Sequence, residues 1–189
     1  LAIYHKADQF EDFVSLNEYS DLDIKLVLEE SPLGTGGAAK NVIIKENLKE
    51  ETFVLNGDTL INFNLNKIVK NFYYKNHLNL LLVSKVKHMD RYGGLKIRDD
   101  RVVEFIPPGT SHQSGFVFSG LYLGKTEIIR EYPKNKFSLD KDLFSVLCSN
   151  GDLFAIKGSE SCFYDIGTPE SYGRLLTKDF VQDFMNLWI

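Results

Sequence analysis

The chain has 189 residues, 43% hydrophobic and 25% charged, and carries a net charge of -4. Its length and apolar content suffice for one domain, residues 1–189, with a sizeable core. The acidic balance, with Lys and Arg scattered among acids, excludes the basic face of a dedicated nucleic-acid binder but not phosphate binding through a divalent cation. The longest apolar run, around Leu80–Val83, is too short to cross a bilayer. Two cysteines, Cys148 and Cys162, lack metal-ligand spacing, and no targeting segment is visible. Buried, reduced thiols in a cytoplasmic protein are therefore expected.

In chain order, Ile24–Leu28 is strand-like and is followed by the turn set Ser31-Pro32-Leu33-Gly34. Gly36–Ile44 opens on glycines and then has the pattern of a helix. Thr52–Leu55 is a short apolar strand ending at Asn56-Gly57-Asp58, and Asn66–Lys75 shows helical spacing of Ile68, Val69 and Phe72. The continuous apolar run Asn79–Val83 suits a strand buried on both faces, as in a parallel sheet. Gly94–Ile97 and Val102–Ile106 flank Arg98-Asp99-Asp100-Arg101 and predict a hairpin. A turn-rich loop over Pro107–Gly115, a strand over Phe116–Leu123, a helix over Leu139–Cys148 and a strand over Leu153–Ile156 follow. Last, Thr168 stands as an N-cap, with Pro169 opening a helix and Glu170 in its first turn. The fold class expected is α/β: a Rossmann-like mixed, mostly parallel sheet with helices on both faces and a small antiparallel insertion.

Three stretches could carry chemistry. Leu33-Gly34-Thr35-Gly36-Gly37-Ala38-Ala39-Lys40 lies between a strand and a helix. Its glycines allow close backbone approach to a ligand, and a helix start offers free N–H donors, although a plain Gly-rich turn is equally consistent. No Gly-Lys-Ser/Thr follows, so it is not a P-loop. Asn56-Gly57-Asp58-Thr59 places a carboxylate at a strand's C-terminal end, where ligands of open α/β sheets sit. Phe163-Tyr164-Asp165-Ile166-Gly167-Thr168-Pro169-Glu170 does the same before a capped helix. Either aspartate alone could be a turn residue. Together they make the sparse acidic pair that suits Mg²⁺, which takes one or two protein carboxylates and fills its other positions with water and phosphate oxygens.

In this order, Leu33–Ala38 (LGTGGA), Leu55–Thr59 (LNGDT) and Tyr164–Tyr172 (YDIGTPESY) resemble the sugar-1-phosphate nucleotidyltransferase family. Asp90-Arg91-Tyr92-Gly93 and Phe137-Ser138-Leu139 resemble further family segments, and the likeness covers Ala2–Leu176. The resemblance implies attack of a sugar 1-phosphate oxygen on the α-phosphate of a nucleoside triphosphate, with release of pyrophosphate. It implies that Leu33, Gly34, Gly36, Gly37, Ala38 and Gly57 bind the nucleotide, and that Asp58 and Asp165 are catalytic and hold Mg²⁺. Tyr92, Gly93 and Gly120 are implied on the sugar side.

Three departures qualify the likeness. The family's Gly-rich loop with its arginine, and the proline-lysine pair after it, belong ahead of Leu1, so an N-terminally incomplete domain lacking its first strand is expected. The lysine that follows the hairpin in many relatives is absent from Phe105-Ile106-Pro107-Pro108-Gly109, which leaves Lys125, Lys134 or Lys136 as replacements. The asparagine that often precedes the sugar-side glycine is replaced in Phe118-Ser119-Gly120. The last two changes resemble branches acting on mannose-like, heptose or muramic-type sugars, and guanylyl transfer is favoured over uridylyl or thymidylyl transfer. The partners expected are a nucleoside triphosphate and a sugar 1-phosphate, with no nucleic acid and no membrane.

Two other functions stay open at this stage. A non-catalytic nucleotide-sugar-binding subunit fits the lost lysine but has little need of two metal carboxylates. A GT-A-type glycosyltransferase normally shows a paired Asp-x-Asp, whereas Thr59 and Leu60 follow Asp58. His5, His77, His88 and His112 form no cluster and are expected at the surface or in loops. Phe10, Phe13, Phe53, Phe72, Phe105 and Phe116 are expected in packing. The C-terminal Phe184–Ile189, with Trp188, is expected to dock on the domain or on a second subunit of a homo-oligomer.

Overall fold

The structure, a computed structural model, describes residues 1–16, 19, 21–159 and 162–177. The C-terminal segment with Trp188 lies outside the described residues. The chain divides into two compact units, Leu1–Thr52 with Lys125–Val146 and Phe53–Gly124 with Leu147–Ile189.

In the first unit, β1 (Ala2–Ile3) and β2 (Val27–Leu28) pair in parallel with Ala2 opposite Val27. Between them runs α1 (Ala7–Val14), none of whose residues is buried. Phe10 and Phe13 are thus exposed rather than packed, a correction to the sequence expectation. The core forms instead on α2 (Gly34–Lys45), which packs against β1, β2, α4 (Thr126–Arg130) and a π-helical turn at Leu139–Leu143. Ile43, Ile129, Phe137, Leu139 and Leu143 are buried here. The strand expected over Ile24–Leu28 shortens to its last two residues.

The second unit is built on a six-stranded sheet ordered β3-β8-β5-β9-β7-β6. Its strands are β3 (Glu51–Leu55), β5 (Asn79–Val86), β6 (Gly94–Arg98), β7 (Arg101–Ile106), β8 (Gly115–Lys125) and β9 (Phe154–Gly158). At its centre, β5 runs parallel to β9 and antiparallel to β8. The pairs β6–β7, β6–β8 and β7–β9 are also antiparallel. The β6–β8 pairing at Leu95 and Phe116 returns the order on itself, so β8, β5, β9, β7 and β6 form a ring of neighbours. A mostly parallel sheet is therefore not what forms. Burial of Leu80–Val83 follows from β5's central place, which is independent of strand direction.

One face of β5 packs under α3 (Leu65–Tyr74), where Ile68 and Phe72 meet Leu80, Leu82, Leu121, Leu123 and Cys162. Truncating any of these leucines to alanine costs about 2–5 kcal/mol, because so close a core cannot collapse to fill the gap. The expected hairpin forms, with Asp99 and Asp100 both left-handed (φ 48° and 64°), as a two-residue primed turn requires. His77 is buried and stacks on Phe154 with ring centroids 3.9 Å apart, contrary to the surface position expected. The unit also contains α5 (Phe144–Asn150), whose first residues belong to the first unit, and α6 (Pro169–Leu175). Two short strands, β4 (Thr59–Ile61) and β10 (Phe163–Asp165), pair antiparallel as a separate ribbon.

Candidate functional site

The ribbon of β4 and β10 decides where the acidic residues lie. Thr59 stands opposite Asp165, so Asp58, one residue before β4, reaches the end of β10. The N–H of Ile166 donates to the Asp58 carbonyl at 2.8 Å and ties the two turns together. A Cβ built on Gly167 would lie 3.1 Å from Asp165 Oδ1 and 3.1 Å from Asp58 Oδ2. The two carboxylate oxygens are thus separated by no more than twice that distance. Two aspartates 107 positions apart in sequence share one small volume, kept open because residue 167 has no side chain.

The surroundings differ for the two groups. Asp165 is half-buried, and its Oδ1 accepts from the Gly167 N–H at 2.7 Å. Its Oδ2 accepts from Arg91 Nη2 at 2.9 Å. Asp58 is exposed, and its Oδ1 takes only a long contact from Thr59 Oγ1 at 3.4 Å. One carboxylate is held in place and the other can adjust. No group of three His, Cys, Asp or Glu side chains suited to a metal is found among the described residues. A two-carboxylate donor set fits Mg²⁺, a hard cation that keeps several waters.

Next to Asp165 is a cavity of about 280 Å³ lined by Arg91, Tyr92, Phe163, Tyr164, Glu170 and Arg174 among others. Tyr92 meets Phe163 edge-on with centroids 5.7 Å apart, and burial raises its phenol pKa above the usual value. The Thr168 cap is a full capping box: Thr168 Oγ1 accepts from the Ser171 N–H at 3.2 Å, and Ser171 Oγ accepts from the Thr168 N–H at 3.3 Å. This fixes the direction of α6 immediately after the Asp165 turn.

The glycines have mixed reasons for being there. A Cβ at Gly57 would enter open space, so nothing in the protein crowds the backbone beside Asp58. Gly120 is left-handed (φ +80°), and a Cβ there would press on Asn56 and Thr59. Its carbonyl accepts from the Asn56 N–H at 2.9 Å, so it braces the turn that carries Asp58. Gly93 (φ +75°) lies against the hairpin exit, its Cβ position 2.7 Å from the Ile106 carbonyl and 3.2 Å from Pro108 Cδ.

The Gly-rich turn belongs to the first unit. Leu33 and Ala38 are half-buried, and Gly36 and Gly37 are buried. Their N–H groups, expected to be free for a ligand, both donate to the Phe137 carbonyl, at 3.0 and 3.2 Å. A Cβ at Gly36 would fall within the Phe137 ring, and one at Gly37 against the Asn135 carbonyl. Gly34 (φ +75°) meets the same Phe137 carbonyl at 2.6 Å from its Cβ position. These glycines let the Asn135–Phe137 segment lie flat on the helix start. Of the lysines considered as replacements, Lys125 pairs with Glu51, and Lys134 pairs with Asp142 at 2.9 Å. Sequence reasoning passed over Arg91 as a functional side chain. Its one signal was a place in Asp90-Arg91-Tyr92-Gly93.

Residues 1–180 match the family model of nucleotidyl transferases, and the chain belongs to that family. It is 31% identical to a D-glycero-alpha-D-manno-heptose 1-phosphate guanylyltransferase of Aneurinibacillus thermoaerophilus, over 92% of this chain and 74% of the relative. It is 30% identical to a mannose-1-phosphate guanylyltransferase of Mycobacterium tuberculosis, over 81% of this chain and 43% of the relative. A crystal structure of HddC from Yersinia pseudotuberculosis complexed with GMP-PN superposes with a TM-score of 0.79 at 30% identity, covering 92% of this chain and 75% of that one.

Proposed function

We propose that the protein is a Mg²⁺-dependent sugar-1-phosphate guanylyltransferase that joins GMP, taken from GTP, to a heptose- or mannose-type sugar 1-phosphate. The observation that carries this reading is the meeting of the Asp58 and Asp165 carboxylates over Gly167 in a chain of this family. In the reaction an oxygen of the sugar 1-phosphate attacks the α-phosphorus of the triphosphate, and the bond to the bridging oxygen of the departing pyrophosphate breaks in line with it. Such a reaction asks the protein mainly for positioning and for compensation of developing charge. Asp58 and Asp165 would hold Mg²⁺, which when bound neutralises the α-phosphate oxygens.

The chain's own residues supply the rest. The Gly167 N–H and Arg91 orient Asp165, and the Ile166 N–H bond to the Asp58 carbonyl keeps the two turns together. Gly57 leaves the backbone beside Asp58 uncrowded, so a triphosphate can approach. The sugar is assigned to the surroundings of Tyr92, Gly93 and Gly120, in the unit that holds the two aspartates. Guanine is preferred because the relatives named above are guanylyltransferases. The free thiols Cys148 and Cys162 agree with a cytoplasmic setting, and no helix among the described residues is long and apolar enough to cross a membrane.

The test is to incubate the protein with each nucleoside triphosphate and with mannose, glucose and heptose 1-phosphates, with and without Mg²⁺. Pyrophosphate and a GDP-sugar mass, both dependent on Mg²⁺, are the expected result. Binding of GDP-sugar with no pyrophosphate from any pair would refute the reaction and favour a nucleotide-sugar sensor.

A further inference from the structure

The cavity beside Asp165 contains two arginines in different states. Arg174 pairs with Glu170 one turn away at 3.2 Å, on the exposed side of α6. Arg91 donates a single nitrogen to Asp165, and its guanidinium carbon lies 5.1 Å above the Tyr92 ring, which steadies its plane. A guanidinium has five N–H donors in a fork that matches phosphate, so the bond to Asp165 occupies only part of it. The cavity, about 280 Å³, is at the lower end for small-molecule sites and suits a monosaccharide better than a nucleotide. Among its walls are Tyr92, Phe163 and Tyr164, flat aromatic faces suited to a sugar ring.

The position of Arg91 is the informative part. Asp165 Oδ1 faces the volume shared with Asp58, while Oδ2 takes Arg91 at the cavity. A group bonded to Arg91 would therefore lie beside the metal carboxylates, where a sugar's 1-phosphate must stand to attack. The hairpin exit, Ile106-Pro107-Pro108, offers no cation, and it packs on Gly93, two residues from Arg91. Lys125 and Lys134 are committed to Glu51 and Asp142. We infer that Arg91 binds the 1-phosphate of the sugar substrate, with the sugar ring in the cavity formed by Tyr92, Phe163 and Tyr164. The inference rests on the proposed function and names the substrate cation of that same site.

The experiment compares wild type with Arg91→Gln and Arg91→Lys by calorimetric titration with mannose 1-phosphate, inorganic phosphate and unphosphorylated mannose, in Mg²⁺. KM values for GTP and sugar 1-phosphate and melting temperatures are measured alongside. Loss of a charge-assisted bidentate contact predicts about a 10- to 100-fold weaker Kd and higher KM for mannose 1-phosphate in Arg91→Gln. Partial recovery is expected in Arg91→Lys, with a smaller change in KM for GTP than for mannose 1-phosphate and with affinity for mannose unchanged. Unchanged affinity for the sugar phosphate overturns the inference. So does an equal loss for GTP and Mg²⁺, which would mark Arg91 as only a support for Asp165. Wild type that binds mannose 1-phosphate yet makes no nucleotide sugar contradicts the reaction, and the titration of Arg91→Gln still decides the inference. Wild type that binds no sugar phosphate overturns both.

Discussion

Replacing Asp58 by asparagine removes one negative charge from the carboxylate pair and disturbs little else. The Asp58 side chain is exposed, and its one hydrogen bond is the 3.4 Å contact from Thr59, which an amide oxygen can still accept. The backbone carbonyl that receives the Ile166 N–H is untouched. Stability should therefore change by no more than about 0.5 kcal/mol, the ordinary range for a surface substitution. Turnover should not behave that way. Removing one preorganised electrostatic partner of a developing phosphate charge costs about 10²–10³ in kcat, about 2.7–4 kcal/mol of transition-state stabilisation. The assay is continuous pyrophosphate release at saturating GTP and sugar 1-phosphate across a Mg²⁺ series, with thermal melting of both proteins. The expected pair of results is a fall of at least about 100-fold in kcat beside a melting curve within 1–2 °C of wild type, at about 2–4 °C per kcal/mol for a chain this long. A variant that keeps its kcat within about threefold, with an unchanged Mg²⁺ requirement, would refute the assignment of Asp58 to the metal.

Other outcomes follow from the same structure. Gly36→Ala drives a methyl group into the Phe137 ring, and overpacking of this kind costs about 1–3 kcal/mol, so melting should fall by several degrees; an unchanged melting temperature would mean that Phe137 does not cover this helix start. His77 has its pKa lowered by burial first and by Lys75 second. Its folded value is thus below the unfolded value, so its contribution is present above about pH 6.5 and is lost as pH falls. Urea midpoints should decline as pH falls below about 6.5 in wild type and less steeply in His77→Phe; parallel declines would remove His77 as the cause. Because His77 Nε2 has no partner among the described residues, the phenyl ring should also match or exceed wild-type stability at pH 8.

Much of this architecture was legible one element at a time. The apolar run at Leu80–Val83, the Asp99-Asp100 turn between two β-type runs and the Thr168-Pro169 helix start each carry a local physical signal, and each forms as expected. Strand direction carries no such signal. The side chains of β5 are buried equally by antiparallel β8 and parallel β9, so the apolar run alone led to a mostly parallel sheet. β4 was missed because three residues, Thr59–Ile61, are too few to show a period, and only pairing with β10 makes them a strand. Phe10 and Phe13 have core-like spacing on a helix that buries nothing, and His77 is covered by Phe154, a residue 77 positions away.

The site shows the same division. The two aspartates were visible as strand-end carboxylates, but their meeting depends on the register that sets Asp165 opposite Thr59. The glycines were visible too, though half of their work is to admit neighbouring backbone. Gly36 and Gly37 donate to Phe137, and Gly120 braces the Asp58 turn. The only local signal of Arg91 is its place in Asp90-Arg91-Tyr92-Gly93, and an arginine before a tyrosine otherwise reads as an ordinary surface residue until Asp165 is brought to it.

A Mn²⁺-loaded crystal with GTP bound in a non-hydrolysable form, read by anomalous scattering, tests the central claim most directly. The account predicts one peak at metal-ligand distance, about 2.0–2.3 Å, from a carboxylate oxygen of Asp58 and from one of Asp165. That peak should be lost in Asp165→Asn. Metal bound to the triphosphate with neither carboxylate in its coordination sphere would contradict the account.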